Sequence, residues 1–171
     1  MKLTRILQVL GFIAICQAAG AIGTIFTVDA IPNWYVTLNQ PSFQPPNWLF
    51  GPVWVTLYTL MGIAAWRIWS KGEKAKKIKK ARSTKFATRL FFVHLFFNMT
   101  WSIAFFGYHD VLLALINIII IWISIVWLMV TYWRIDKVST YLFTPYLLWV
   151  SFATILNAAI FALNGAKRGI E

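Results

Sequence analysis

The chain has 171 residues, of which 60% are hydrophobic, 18% aromatic and 12% charged, a composition too apolar for a soluble domain of this length. Its formal net charge of +11 would suit a nucleic-acid partner, but ten of its sixteen Lys and Arg fall between Arg67 and Arg89, in one segment, which argues for a membrane protein instead. Long charge-free stretches occupy much of the rest, each able to hold the roughly 20 helical residues that cross a ~30 Å hydrocarbon core. Their continuous apolarity, without period-two alternation, favours helices over a barrel, because lipid tolerates only structures that satisfy their own backbone.

In chain order, Ile6 to Val28 predicts a first helix over 5–27. Lys2 and Arg5 precede it as in a signal peptide, and Ala18-Ala19-Gly20-Ala21 is small enough for a cleavage site, but the apolar run exceeds the roughly 7–15 residues of such a segment. We therefore expect it to remain as a span. Ala14, Ala18 and Ala19 to Gly23 would allow another helix to approach closely, within the bundle or across a homodimer. The next stretch, Ala30 to Trp66, is longer than one span needs, and Pro32, Pro41, Pro45, Pro46, Gly51 and Pro52 make its first half a poor helix. A second helix is expected over 48–69, with Pro52 in the first turn, where a missing N–H would have been unpaired anyway. An external loop over 28–47 would precede it, and a basic loop over 70–86 would follow. That basic loop reads either as a surface for anionic headgroups or as a topological anchor alone. Spans at 87–107, 111–133 and 139–164 complete five, with Pro145 kinking the last or marking its effective start. The excess of Lys and Arg before helices 1, 3 and 5 places the amino terminus and the 70–86 loop in the cytoplasm. The 28–47 loop and the carboxyl terminus, with Lys167 and Arg168, then lie outside. The short amino terminus suggests the plasma membrane of a prokaryote.

Within the spans the chemistry is sparse. Cys16 is the single cysteine and supports neither an intramolecular disulfide nor a zinc site. His94 is the one titratable group of its charge-free stretch; it shares a helix face with Asn98, and Trp101 and Phe105 continue that face. Such a face could line a cavity, or His94 and Asn98 could bond to neighbouring helices. Haem ligation by His94 has no identifiable second axial ligand. Without carboxylates in the spans, an ion-coupled transporter has no residues to run on, while a passive carrier remains open. Trp34, Trp48, Trp66, Trp69 and Trp133 lie near helix ends, where an interfacial belt explains them. Trp54, one turn into helix 2, and Trp149, one turn beyond Pro145, could face a cavity on the loop side and offer flat apolar surfaces to a planar ligand. Nothing resembles a nucleotide-binding glycine loop, paired catalytic carboxylates, HExxH or GxSxG.

Pro41-Ser42-Phe43-Gln44-Pro45-Pro46, followed by Phe50-Gly51-Pro52-Val53-Trp54 and Leu57-Tyr58, resembles the signature of the translocator protein family, the tryptophan-rich sensory proteins also known as TspO/MBR or peripheral benzodiazepine receptors. Asn98 to Ser102 with Phe105-Phe106-Gly107 is similar to the family's third helix, Leu113-Ala114-Leu115 to the start of its fourth, and Pro145 to Trp149 with Phe152 to Asn157 to its fifth. The resemblance implies an all-α bundle of five transmembrane helices, often a homodimer, whose pocket is closed by the first external loop. It implies tetrapyrrole ligands, protoporphyrin IX or haem, alongside sterols and synthetic drugs, with no cofactor required. Its pocket positions fall on Tyr35, Pro45, Trp54, His94, Asn98 and Trp149, to which the helix face adds Trp101. Sensing or sequestration, passive carriage across the bilayer, and light- and oxygen-dependent porphyrin breakdown through Trp54 and Trp149 are the functions it implies. Two positions depart from the pattern: Asn117 stands where relatives often have an acid, and Leu156, Phe161 and Lys167 give only a phenylalanine version of a sterol-recognition motif.

Overall fold

A computed structural model describes residues 3–165, so that Lys2, Lys167 and Arg168, which entered the topology expected above, lie outside the described residues. The described chain forms five helices: α1 (Leu3–Asn33), α2 (Phe50–Glu73), α3 (Ile78–Ser102), α4 (Val111–Trp133) and α5 (Lys137–Asn164). A π turn, Ile103–Gly107, prolongs α3, and each of the five is long and apolar enough to span a bilayer.

The apolar residues are sorted between two solvents. On α4, Ala114, Ile118, Ile121, Ile125, Leu128 and Tyr132 are buried at helical spacing. Ile116, Ile119, Ile120, Ile123, Trp127 and Val130 form an equally apolar outer face. In water that outer face would be a severe liability; against lipid tails it costs nothing, so burial of apolar area is not what selects the inner face. Shape selects it instead. At Gly62 an added Cβ would lie 2.7 Å from the Ile13 Cα, so α1 and α2 approach more closely than any side chain permits. An added Cβ at Gly20 would collide with the Tyr58 ring. Around α2 the packed interior collects Met61, Ile68, Phe91, Ile125, Phe143 and Tyr146.

Most helix ends that differ from the sequence expectation lie beyond it, although α2 itself begins two residues after the expected 48. α1 continues to Asn33, six residues past the expected end, with Pro32 inside its last turn. The connection to α2 is correspondingly shorter than 28–47: it holds two 3-10 turns, Tyr35–Thr37 and Asn47–Leu49, before α2 begins at Phe50 with Gly51 and Pro52 in its first turn. α3 starts at Ile78, so the basic segment expected as a loop over 70–86 is mostly helix, and Lys79, Lys80, Arg82 and Lys85 stand on its first turns. Charge marks where hydrocarbon stops, whereas Lys and Arg are good helix formers that carry a helix onward into water. Pro145 is not the effective start of the last helix, because α5 runs unbroken through it from Lys137. Thr144, just before it, donates to the Thr140 carbonyl at 3.4 Å.

At the end of the bundle where α4 turns into α5, a single carboxylate holds two helices. Asp136 Oδ2 accepts from Arg67 Nε at 2.7 Å and from the Ser139 hydroxyl at 2.8 Å, and its Oδ1 accepts from Lys71 Nζ at 2.8 Å. Burial by itself would raise the Asp136 pKa. The hydrogen bonds from Arg67, Lys71 and Ser139, with the Arg67 charge, outweigh it and hold the carboxyl well below the ordinary carboxylate range. Asp136→Asn should therefore destabilise the protein by about 1–3 kcal/mol at neutral pH, the range for charged hydrogen bonds reduced by the partial exposure of Arg67 and Lys71. Because the folded-state pKa is depressed, this contribution is present in full above about pH 4 and fades as pH falls further. Thermal unfolding of both proteins in detergent, followed by near-UV circular dichroism from neutral to acid pH, should show the two midpoints converging at low pH.

Candidate binding cavity

At the opposite end of the bundle a cavity of about 690 Å³ opens under the α1–α2 connection, within the size range of about 300–1,000 Å³ that encloses small-molecule ligands. All five helices contribute to its wall, α4 through Ile118 and Ile121 only. Trp54, Trp101, Trp149, Phe50, Phe105 and Phe106 supply aromatic surface, and Tyr35 of the first 3-10 turn closes the loop side. Trp101 and Phe105 are stacked 5.2 Å apart, and Phe50 meets Trp149 edge-on at 5.7 Å. The π turn shifts the register of this helix end so that the neighbours Phe105 and Phe106 both reach the cavity, a use of irregular helix common at functional sites. Among the described residues no charged side chain lines the cavity.

Of the residues singled out from sequence, Tyr35, Trp54, Asn98, Trp101 and Trp149 line this cavity, while Pro45 and His94 do not. Pro45 is a half-buried residue of the connection. His94 lies one layer behind the wall, wholly buried. It completes a hydrogen-bonded chain: Tyr58 Oη donates to Asn98 Oδ1 at 2.6 Å, Asn98 Nδ2 donates to Tyr146 Oη at 2.6 Å, and Tyr146 Oη is 3.0 Å from His94 Nε2. Beyond the ring, His94 Nδ1 is 2.7 Å from Ser124 Oγ, which itself donates to the Ile121 carbonyl at 2.7 Å. Only one proton assignment satisfies every member. Ser124, already donating, must accept from Nδ1–H, and Nε2 must accept from Tyr146, which fixes the neutral Nδ1–H tautomer. His94 is thus a structural link between α3, α4 and α5.

Asn98 retains a second Nδ2 hydrogen, and Trp149 Nε1 is buried without a partner, so the lining carries spare donors. Trp101 Nε1 donates to Asn157 Oδ1 at 3.2 Å, and Asn157 Nδ2 donates to the Val111 carbonyl at 3.1 Å. Asn164 fastens the cover: its Oδ1 accepts from the Asn39 amide and its Nδ2 donates to the Asn39 carbonyl, both at 2.9 Å. Stacking of Trp34 on His109, 4.4 Å between rings, holds the start of the same connection. At the departure noted on α4, Asn117 Nδ2 donates to Thr100 Oγ1 at 2.9 Å, while its Oδ1 is buried unpaired.

Sequence reasoning did not single out Tyr58 and Tyr146, although Tyr58 lies four residues after Trp54 and Tyr146 three before Trp149, each pair on one helix face. A structural role for His94 predicts that His94→Leu orphans the Tyr146 and Ser124 hydroxyls and lowers stability by about 1–3 kcal/mol for each buried group, visible as a lower unfolding midpoint without any ligand. Asn164→Ala should instead leave that midpoint nearly unchanged and increase proteolytic cleavage between residues 34 and 46 several-fold, because it frees the connection alone.

Comparison with known sequences agrees in extent with this architecture. The sequence profile of the TspO/MBR family matches residues 12–163. The tryptophan-rich protein TspO of Chlorobaculum tepidum is 39% identical over 89% of this chain and 92% of its own length. That of Archaeoglobus fulgidus is 38% identical over 94% and 99%. The human translocator protein is 29% identical over 86% and 85%.

Proposed function

The chain belongs to the TspO/MBR family, and from that premise we propose that it is a receptor-like membrane protein whose cavity binds flat hydrophobic molecules, tetrapyrroles such as protoporphyrin IX or haem first among them. The observation that carries this reading is the cavity wall in which Trp54, Trp101 and Trp149 surround an uncharged space of about 690 Å³. Indole faces suit a planar ring system, and the spare N–H groups of Asn98 and Trp149 suit the carboxylates that tetrapyrroles carry on an otherwise apolar rim. Binding needs no resident cofactor, and sensing or sequestration of such molecules under stress is the role it fits. The relatives in a bacterium and an archaeon support residence in a prokaryotic plasma membrane. The charge distribution supports a cytoplasmic amino terminus and an external carboxyl terminus. α1, the least buried span at 17% against 28–33% for the others, is the natural face for a homodimer.

A carrier function is favoured by a separate observation. The wall between α1 and α2 includes Val28 and Val55, 60% and 57% exposed, so the cavity borders the lipid directly and a ligand could exchange with the bilayer. Porphyrin breakdown in light and oxygen is the third reading, and it draws on the presence of both Trp54 and Trp149 in the wall.

Titration with protoporphyrin IX in the dark should quench tryptophan fluorescence saturably. Trp54→Phe and Trp149→Phe should each weaken binding by about 3- to 10-fold, the worth of one aromatic contact. Absence of quenching would reject the ligand class. Loss of porphyrin absorbance in light that disappears in either variant while binding persists selects breakdown, and porphyrin accumulation inside sealed vesicles selects carriage.

A further inference from the structure

At the other end of the bundle, between the start of α1 and the end of α2, lies a second cavity of about 250 Å³. It is smaller than the roughly 300–1,000 Å³ that surrounds a whole drug-sized ligand, and so fits a headgroup better than an entire amphiphile. Arg5 and Lys74 line it from the two helices, with Glu73 beside them. Neither cation has a carboxylate within ion-pair distance among the described residues, in contrast to Arg67 and Lys71, which Asp136 engages. Trp66 and Trp69 form the inner wall. Trp69 is braced by Phe12 at 5.8 Å, and the Trp66 Nε1 is buried with no hydrogen-bond partner.

An orphaned buried N–H is costly and calls for an acceptor. Two cations with one carboxylate leave a single positive charge, which matches the one negative charge of a phosphodiester. Inorganic phosphate averages more than one negative charge near neutral pH, in excess of what this lining balances. Indoles beside basic residues at the end of a membrane span lie at headgroup depth. We propose that this cavity holds the phosphodiester of a bilayer phospholipid, with Arg5 and Lys74 pairing its phosphate and Trp66 Nε1 donating to one of its oxygens. The site is separate from the tetrapyrrole cavity and does not depend on that reading.

The full chain in detergent would be titrated with phosphatidylglycerol and bound lipid counted by native mass spectrometry. Arg5, Lys74, Lys79 and Lys85 are all exposed, so their substitution leaves the core untouched. The double variant Arg5→Gln/Lys74→Gln should weaken retention of one lipid by about tenfold or more, the loss expected for two charge-assisted contacts, and Trp66→Phe by about threefold. The control Lys79→Gln/Lys85→Gln, which removes the same charge from the nearby surface, should change it less than about twofold. Equal loss in both double variants would reduce the effect to general surface charge and overturn the site, as would undiminished retention in Arg5→Gln/Lys74→Gln. Displacement of the lipid by millimolar inorganic phosphate would also overturn it, by assigning the cavity to the free anion.

Discussion

Hydrocarbon offers a polar group no water to fall back on, and that constraint decides how this bundle is joined. Since lipid tails receive apolar side chains as readily as a protein core does, isoleucine on α4 is spent on both faces and says little about which face turns inward. Polar side chains carry that information. The chain from Tyr58 through Asn98, Tyr146 and His94 to Ser124 takes one member or more from each of α2, α3, α4 and α5, and leaves none of its links unfilled. Rotating any one of these helices would strand a donor or an acceptor where nothing replaces it. This chain fixes four helices around a cavity whose wall is largely aromatic.

The two ends of the bundle are finished with different chemistry. At the α4–α5 turn, charge does the joining: one carboxylate gathers Arg67, Lys71 and the Ser139 hydroxyl. At the cavity end the amide of Asn164 bonds the backbone of Asn39 and Trp34 stacks on His109. An amide–backbone hydrogen bond such as that of Asn164 costs less to open than an ion cluster, whose opening would expose uncompensated charge.

The five spans were legible because length and hydropathy are what a bilayer selects, and of the pocket positions that the family resemblance implied, Tyr35 and Trp54 line the cavity while Pro45 does not. Helix ends were less legible. Lys79 to Lys85 mark the edge of the hydrocarbon, and nothing in their charge prevents α3 from starting before them. Pro145 read as a break because proline is costly in water, while a helix packed in a membrane absorbs it. His94 stood between two readings that only partners could separate, and the partners, Tyr146 and Ser124, lie 52 and 30 residues away. Tyr58 and Tyr146 went unmarked because in so aromatic a chain a phenol is conspicuous only once its hydroxyl is seen to be the link.

The amide contact between Asn164 and Asn39 also has a temporal side. It joins positions 125 residues apart in sequence, and it stands outside the cavity wall, since neither residue is among those that line it. Whatever occupies the cavity gains nothing from it directly. For a molecule entering under the connection, its strength would set how often the cover lifts, and so arrival and departure together, while the wall of indoles would set how tightly an occupant is held. The speed of exchange by that route and the preference among occupants would then rest on different residues, and a change at Asn164 could alter the first without altering the second.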